Sequence, residues 1–181
     1  MAMLLETSRL LLRPFVPSDF ESLFAVIGDP VTMQFYPSAF DKQSTLDWIE
    51  RNARRYEEDG SGLCAVVLKS SGEMIGDCGP VWQEVEGTRE LEIGYHIRRD
   101  YWNCGYATEG ARAAMAYAFE KFPVARLISL IRPENLPSRR VAEKNDLCID
   151  REIDWKGIRH FVYAISRDEF AHRTSHRSQQ P

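Results

Sequence analysis

The stretch from Glu90 to Ile131 constrains this chain more than any other. Glu90–Ile97 (ELEIGYHI) alternates, with Leu91, Ile93, Tyr95 and Ile97 on one face and Glu92, Gly94 and His96 on the other. That is the period of a half-buried strand. A turn-like segment, Asp100–Tyr106, leads into a run where Ala111, Ala114, Met115, Ala118 and Phe122 recur at helical spacing, and the helix is expected to reach about Lys121. Its small, alanine-rich face can lie close to a sheet. Ala125–Ile131 (ARLISLI) then reads as a strand again. A strand, a helix and a strand in succession require a crossover, so the second strand runs parallel to the first.

The flanking segments add antiparallel elements. Ser8–Arg13 reads as a first strand closed by Pro14, followed by Ser18 and Asp19 as helix caps and an apolar stripe of Phe20, Leu23, Phe24 and Ile27. Gly28-Asp29-Pro30 stops that helix. A second is expected after Asp41, with Leu46, Ile49 and Ala53 on its apolar face and Asp59-Gly60 at its end. Leu63–Lys69, Met74–Val81 and Glu90–Ile97 are three strands joined by short turns, a meander. Pro133-Glu134-Asn135 opens a shorter helix to about Asn145. Leu147–Trp155 and Ile158–Ile165 form a hairpin around Lys156-Gly157, and His172–Pro181 is expected as a polar, frayed tail. The order β-α-α-β-β-β-α-β-α-β-β gives an α+β (mixed α/β) fold. One domain, residues 1–171, and a tail, residues 172–181, account for the 181 residues.

Composition excludes several classes. The hydrophobic fraction of 44% is too high for disorder. No apolar run approaches the roughly 20 residues of a membrane span. A net charge of −4 argues against a nucleic-acid partner and fits a cationic one slightly better. Cys64, Cys78, Cys104 and Cys148 fit no zinc spacing, and Glu169 is the only carboxylate near the helically spaced pair His172 and His176, so no metal site is expected. The start is too short and too charged for a signal peptide, so reduced thiols and a cytoplasmic location are expected.

Chemistry concentrates in Glu92–Glu109, EIGYHIRRDYWNCGYATE, where a strand ends, a turn with Gly105 follows and a helix begins. A helix N-terminus offers unpaired N–H groups and about half a positive charge to a phosphate. Gly105 lets the main chain approach a ligand, and small Ala107 keeps the entrance uncrowded. The P-loop pattern and the Gly-x-Gly-x-x-Gly pattern are both absent.

ELEIGYHIRRDYWNCGYATEGARA resembles the acyl-CoA-binding core of the GNAT superfamily of N-acetyltransferases, and within it the RimJ/RimL branch. TSRLLLRPFVPSDFESLF resembles that branch's opening strand and helix, and Asn135–Lys144 (NLPSRRVAEK) its N-x-x-S-x-x-x-x-E-K helix. The resemblance runs from residue 8 to about 166. It implies the GNAT fold, a central twisted mixed sheet flanked by helices, with acetyl-CoA as donor, an amine acceptor (a peptide N-terminus or a small molecule), and a monomer or homodimer. It places the pyrophosphate loop on Trp102-Asn103-Cys104-Gly105-Tyr106-Ala107, continuing to Thr108, with Asn103 and Cys104 where the branch often has glycine and a basic residue. The backbone of Ile97, with Arg98 beside it, and Asn135 would line the pantetheine arm, and Ser138 would lie near the thioester.

Transfer needs a base for the ammonium, a donor to the oxyanion and a proton for the thiolate. Glu92 is the first candidate base. His96 is the second, on the same face and about 13 Å along the strand. The tyrosine acid of many GNAT enzymes falls here on Ala142, which leaves Ser138 as the substitute, and Asp146 replaces the closing glycine as a left-handed residue. Plainer roles stand beside these. Glu92 could pair with Arg89, His96 could be a hydrogen-bonded pocket residue, Ser138 an early helix residue, and Cys104 a loop residue lending its N–H to phosphate. Phe35, Tyr36 and Trp48 lie where the superfamily's acceptor loops are. The alternative from another class is a non-catalytic acyl-CoA-binding sensor or subunit on the same scaffold.

Overall fold

The structure, a computed structural model, describes residues 4–177. Strands β1 (Leu5–Glu6) and β2 (Leu10–Arg13) open the chain, followed by helices α1 (Phe20–Ile27) and α2 (Lys42–Glu58). The meander is β3 (Cys64–Leu68), β4 (Met74–Val85) and β5 (Thr88–Ile97). Helix α3 (Tyr106–Lys121), strand β6 (Arg126–Ile131) and helix α4 (Leu136–Lys144) follow, then β7 (Cys148–Trp155), β8 (Ile158–Ser166) and α5 (Arg167–Arg177). Among the described residues the strands form one sheet in the order β1-β2-β3-β4-β5-β6-β8-β7. Its neighbours are antiparallel except β5 and β6, the pair that the crossover argument makes parallel.

The alternation seen in the sequence sorts the two faces. Leu91, Ile93 and Ile97 of β5 pack with Val66 of β3 against Ala111, Ala114, Met115 and Ala118 of α3. Ala114 and Ala118 are fully buried, so the alanine face does bring the helix close to the sheet. On the opposite face Ala65 and Val67 meet Leu23, Val26 and Ile27 of α1, with Trp48 and Ile49 of α2 at the edge of the cluster. Phe119 of α3 and Phe170 of α5 stack with centroids 5.1 Å apart. None of the described helices is long and apolar enough to cross a membrane.

Several expectations are corrected. The strand expected at Ser8–Arg13 is β2, which starts only at Leu10, and β1 precedes it: Thr7 Oγ1 accepts the Leu10 N–H and turns the chain between the two. Asp19 does not cap α1; its carboxylate takes the Val16 N–H at 2.8 Å and both Arg13 guanidinium nitrogens at 2.7 and 2.9 Å. On α2, Leu46 is 42% exposed, and Ala53 is exposed too, whereas Thr45 and Asn52 are fully buried. The buried face is Thr45, Trp48, Ile49, Asn52 and Tyr56. It carries polar groups because they are satisfied: Thr45 donates to Asp41 O (2.8 Å), Asn52 donates to Trp48 O (2.9 Å) and accepts from Leu63 N (2.8 Å). The segment expected as a frayed tail from His172 onward is helical up to Arg177, and residues 178–181 lie outside the described ones.

Candidate active site

The site begins where β5 and β6 part. They share a single bridge, Glu92 with Ile128. Arg98 N donates to Ile75 O on β4 (2.8 Å), so even-numbered residues of β5 address β4 with their main chain and odd-numbered ones address β6. In an uninterrupted parallel ladder the Leu130 N–H would therefore reach the Ile93 carbonyl. Instead Ser129 Oγ donates to Ile93 O (2.9 Å), and Leu130 N donates to Glu92 Oε1 (3.2 Å). Side chains thus take both halves of the missing bond, leaving neither group unpaired. Beyond this point β5 stays with β4 as far as Gly76–Ile97, while β6 leaves with β8. The sheet forks.

Helix α3 starts at the open end of the fork. Its N-cap is Gly105, at φ +83° in the left-handed region, with no side chain capping the helix. Asn103 is also left-handed, at φ +60°. Residues 102–105 are exposed, so the free N–H groups of Tyr106, Ala107 and Thr108 form an uncapped anion site at the end of a 16-residue helix. The loop carries no basic side chain, but Arg9 of the β1–β2 turn reaches it. Arg9 donates to Cys104 O (2.9 Å), pairs with Glu109 (2.6 Å) and lies over the Tyr106 ring at 4.4 Å. Glu109 also accepts from Thr7 Oγ1 (2.5 Å) and Ser8 Oγ (3.1 Å), which binds the loop's helix to the first hairpin. Trp102 folds back, and its indole donates to Ile97 O (2.6 Å), so the Ile97 carbonyl on the fork's edge is already engaged. Arg98 is turned away from the loop: its guanidinium pairs with Glu73 (2.7 Å) and Asp100 (3.4 Å) and stacks on Tyr101.

Helix α4 borders the fork from the α3 side. Asn135 caps it, accepting from Ser138 N (3.1 Å), which leaves the Asn135 amide NH2 for other contacts. Tyr95 of β5 donates its hydroxyl to Ser138 O (2.9 Å) and so fixes the first turn of α4 beside the fork. Asp146 is left-handed, φ +67°, as its place at the helix end requires.

The other side of the fork is lined by Glu92 and His96. Gln83 donates to Glu92 Oε2 at 2.8 Å, and Arg89 is paired with Asp59, not with Glu92. Burial holds the Glu92 carboxyl above the usual glutamate range, and the bonds from Gln83 and Leu130 offset only part of that. His96 is buried, and both its ring nitrogens are engaged, Nδ1 with Asp77 Oδ1 and Nε2 with Tyr36 Oη, each at 2.7 Å. With both ring nitrogens engaged by protein groups, His96 offers no free ring atom for direct contact with a substrate. Burial lowers its pKa, but the Asp77 charge and hydrogen bond outweigh this, and the net shift is upward. Trp48 Nε1 holds the second Asp77 oxygen at 2.9 Å. The loop bearing Tyr36 is tied to the other arm of the fork by Arg132 Nη1, which donates to Phe35 O at 3.2 Å.

Residues 9–147 match the family described as Acetyltransferase (GNAT) domain. The chain belongs to the GNAT acetyltransferases. It is 38% identical to the Bacillus subtilis protein YkkB over 77% of this chain and 82% of that one. It is 28% identical to the Bacillus subtilis N-acetyltransferase YnaD over 91% and 97%. Its fold superposes on the GNAT-family acetyltransferase of Bacillus anthracis with a TM-score of 0.78, at 28% identity, covering 92% of this chain and all of that one. The protein is therefore an acetyl-CoA-dependent N-acetyltransferase. The uncapped N-terminus of α3, the exposed loop at Gly105 and the forked sheet fit a coenzyme diphosphate and its extended pantetheine arm. Asp77, Gln83 and Arg9 were not selected from sequence. Asp77 was the findable one: a lone carboxylate inside the apolar run Met74–Val81 must meet a partner, and in a β4–β5 hairpin that partner is His96.

Proposed function

We propose that this GNAT enzyme transfers the acetyl group directly to a primary amine within a ternary complex, as a member of the RimJ/RimL branch acting on a peptide N-terminus or a small-molecule amine in the cytoplasm. The observation that supports the reading is the fork: Glu92 ends the β5–β6 ladder by accepting the Leu130 N–H, and in this reading an amine entering from the α1–α2 face would meet a thioester entering from the α3 side beside it.

Acetyl-CoA supplies a carbonyl carbon and a thiolate leaving group. Main-chain N–H groups around Gly105, from Asn103 to Thr108, hold its diphosphate, the Ile97 N–H and the Asn135 amide hold its arm, and Ser138 lies beside the sulfur. Glu92 takes the ammonium proton. Its raised pKa suits it to that task, because a base works best when its pKa approaches the working pH. Residues 1–171 act as one catalytic domain.

The test is incubation with acetyl-CoA and a panel of a short unblocked peptide, spermidine and kanamycin, with the released thiol read by a chromogenic disulfide. Amine-dependent thiol release is expected. Binding of coenzyme A with no release from any amine supports the sensor reading instead.

A further inference from the structure

From the chain of hydrogen bonds Trp48–Asp77–His96–Tyr36 we infer that the Tyr36 oxygen is a specificity-determining contact for the acceptor, presenting only lone pairs to it and so selecting an ammonium N–H donor. The inference deepens the proposed function and rests on it.

The argument is one of donors and acceptors. An indole nitrogen can only donate, so Trp48 Nε1–H donates to Asp77 Oδ2 at 2.9 Å. The carboxylate can only accept, so its other oxygen takes the Nδ1–H of His96 at 2.7 Å. With that proton fixed on Nδ1, Nε2 of the neutral ring is an acceptor, and the hydroxyl 2.7 Å away, Tyr36 Oη–H, must donate to it. While the ring is neutral the single Tyr36 proton is thereby committed inward, and the oxygen has only lone pairs left to offer; a protonated ring would donate from Nε2 and release that proton outward.

Geometry keeps this arrangement in place. Asp77 is fully buried and lies opposite His96 in the β4–β5 register. The His96 ring is held at 5.2 Å from the Tyr36 ring and 5.9 Å from the Trp48 ring. Tyr36 is 42% exposed, although its hydroxyl points inward to His96. It stands on the face of β5 that carries Glu92, in the loop that Arg132 ties across the fork. Glu92 and Tyr36 together line that face with acceptors, the surface a primary ammonium requires. Burial, with the charges of Glu92 and Asp77 added to it, opposes ionisation of the Tyr36 hydroxyl, so it stays a neutral phenol.

The same logic supplies a near-isosteric reversal. In Asp77→Asn the Trp48 donor claims the amide oxygen, so the amide NH2 must donate to His96 Nδ1. The ring proton moves to Nε2, which then donates to Tyr36, and the Tyr36 proton turns outward against the ammonium.

The test has two arms. The first reads the His96 tautomer by 15N shifts in the free protein, at a pH where those shifts show a neutral ring: Nδ1–H is expected in the parent and Nε2–H in Asp77→Asn. The second measures steady-state kinetics on whichever of the unblocked peptide, spermidine or kanamycin is turned over fastest. Tyr36→Phe and Asp77→Asn are each expected to raise the acceptor KM about ten- to hundredfold, the range for one lost charge-assisted hydrogen bond, with the acetyl-CoA KM unchanged. The double variant is expected to be no worse than Tyr36→Phe alone, since without the hydroxyl the tautomer has nothing to orient. An Nε2–H tautomer in the parent, additive effects, or an unchanged acceptor KM in Tyr36→Phe overturns the inference. If no amine is turned over, the proposed function falls and takes this contact with it, and the tautomer reading alone then describes the resting structure.

Discussion

Replacing Glu92 by glutamine separates the two tasks that the fork assigns to this residue. The structural task is to accept the Leu130 N–H at 3.2 Å, and a glutamine oxygen still does so. The second oxygen accepts from Gln83 at 2.8 Å; in the variant an NH2 takes its place, and Gln83 restores the bond by flipping its own amide. The fork therefore survives. The chemical task is lost, because an amide cannot take the ammonium proton. Loss of a positioned general base lowers the rate about 10²- to 10⁴-fold, a barrier increase of about 3–5 kcal/mol. Stability moves the other way. Burial raises the folded-state pKa of Glu92, so the fold binds its proton more tightly than the unfolded chain does. Stability then falls as pH rises from the ordinary glutamate value through the raised one. The Glu92→Gln variant, which carries no charge at any pH, is expected to melt higher than the parent at neutral pH and equal to it below about pH 4, under the ordinary glutamate value. Stopped thiol-release kinetics and calorimetric melts across pH check both. A variant keeping more than a tenth of the parent rate, or melting lower than the parent at neutral pH, refutes the assignment. Glu92→Ala provides the contrast: it orphans the Leu130 N–H at the fork and is expected to cost about 1–3 kcal/mol in stability besides the activity.

Gly105→Ala and Gly72→Ala impose similar left-handed strain, at φ +83° and +72°, on the order of 1–2 kcal/mol each. Only the former is expected to raise the acetyl-CoA KM, by several-fold, because only its loop is proposed to hold the diphosphate. Asn52→Ala leaves the buried Leu63 N–H without its acceptor and is expected to cost about 1–3 kcal/mol, seen as a lower urea midpoint with unchanged slope. Burial would raise the Glu109 pKa, but hydrogen bonds from Thr7, Arg9 and Ser8 outweigh it and hold the carboxyl below its ordinary value. Its contribution is thus present above the ordinary glutamate pKa and lost as pH falls through the depressed one. Arg9→Met is expected to weaken that acid-dependent loss in melts from pH 7 to pH 3 and to raise the acetyl-CoA KM through the loosened Cys104 carbonyl.

What was legible in the sequence followed strong periodicity. The alternation of Leu91, Ile93 and Ile97 against Glu92 and His96, and the alanine face of α3, each encode burial directly, so the mixed sheet and its parallel pair could be read from them. The extent of α2 was legible too, from Asp41 to Asp59, but its buried face was not, because that face is built on Thr45, Asn52 and Tyr56, whose polar groups are satisfied by main-chain atoms a linear pattern does not reveal. The exposed Leu46 completed a false apolar stripe. The uncapped N-terminus of α3 at Gly105 was legible because helix-terminal N–H groups are local. On the other side His96, Tyr36 and Trp48 were singled out, but not Asp77 or the chain that joins them: the four come from separated segments, and only the β4–β5 register and the packing of α2 bring them together.

That division has a physical origin in the fork. A sheet interior cannot hold unpaired main-chain groups, so a gap wide enough for two substrates requires side chains that take over the ladder's bonds where it stops. Ser129 and Glu92 do this, one as donor and one as acceptor. The ladder-ending acceptor lies at the apex, where burial raises the pKa of its carboxyl. Structural necessity and the proposed base catalysis thus fall on one residue. A substitution at Glu92 that repaired the ladder with an uncharged acceptor would leave the gap intact and the chemistry absent, which is why the glutamine and alanine variants must be read as a pair.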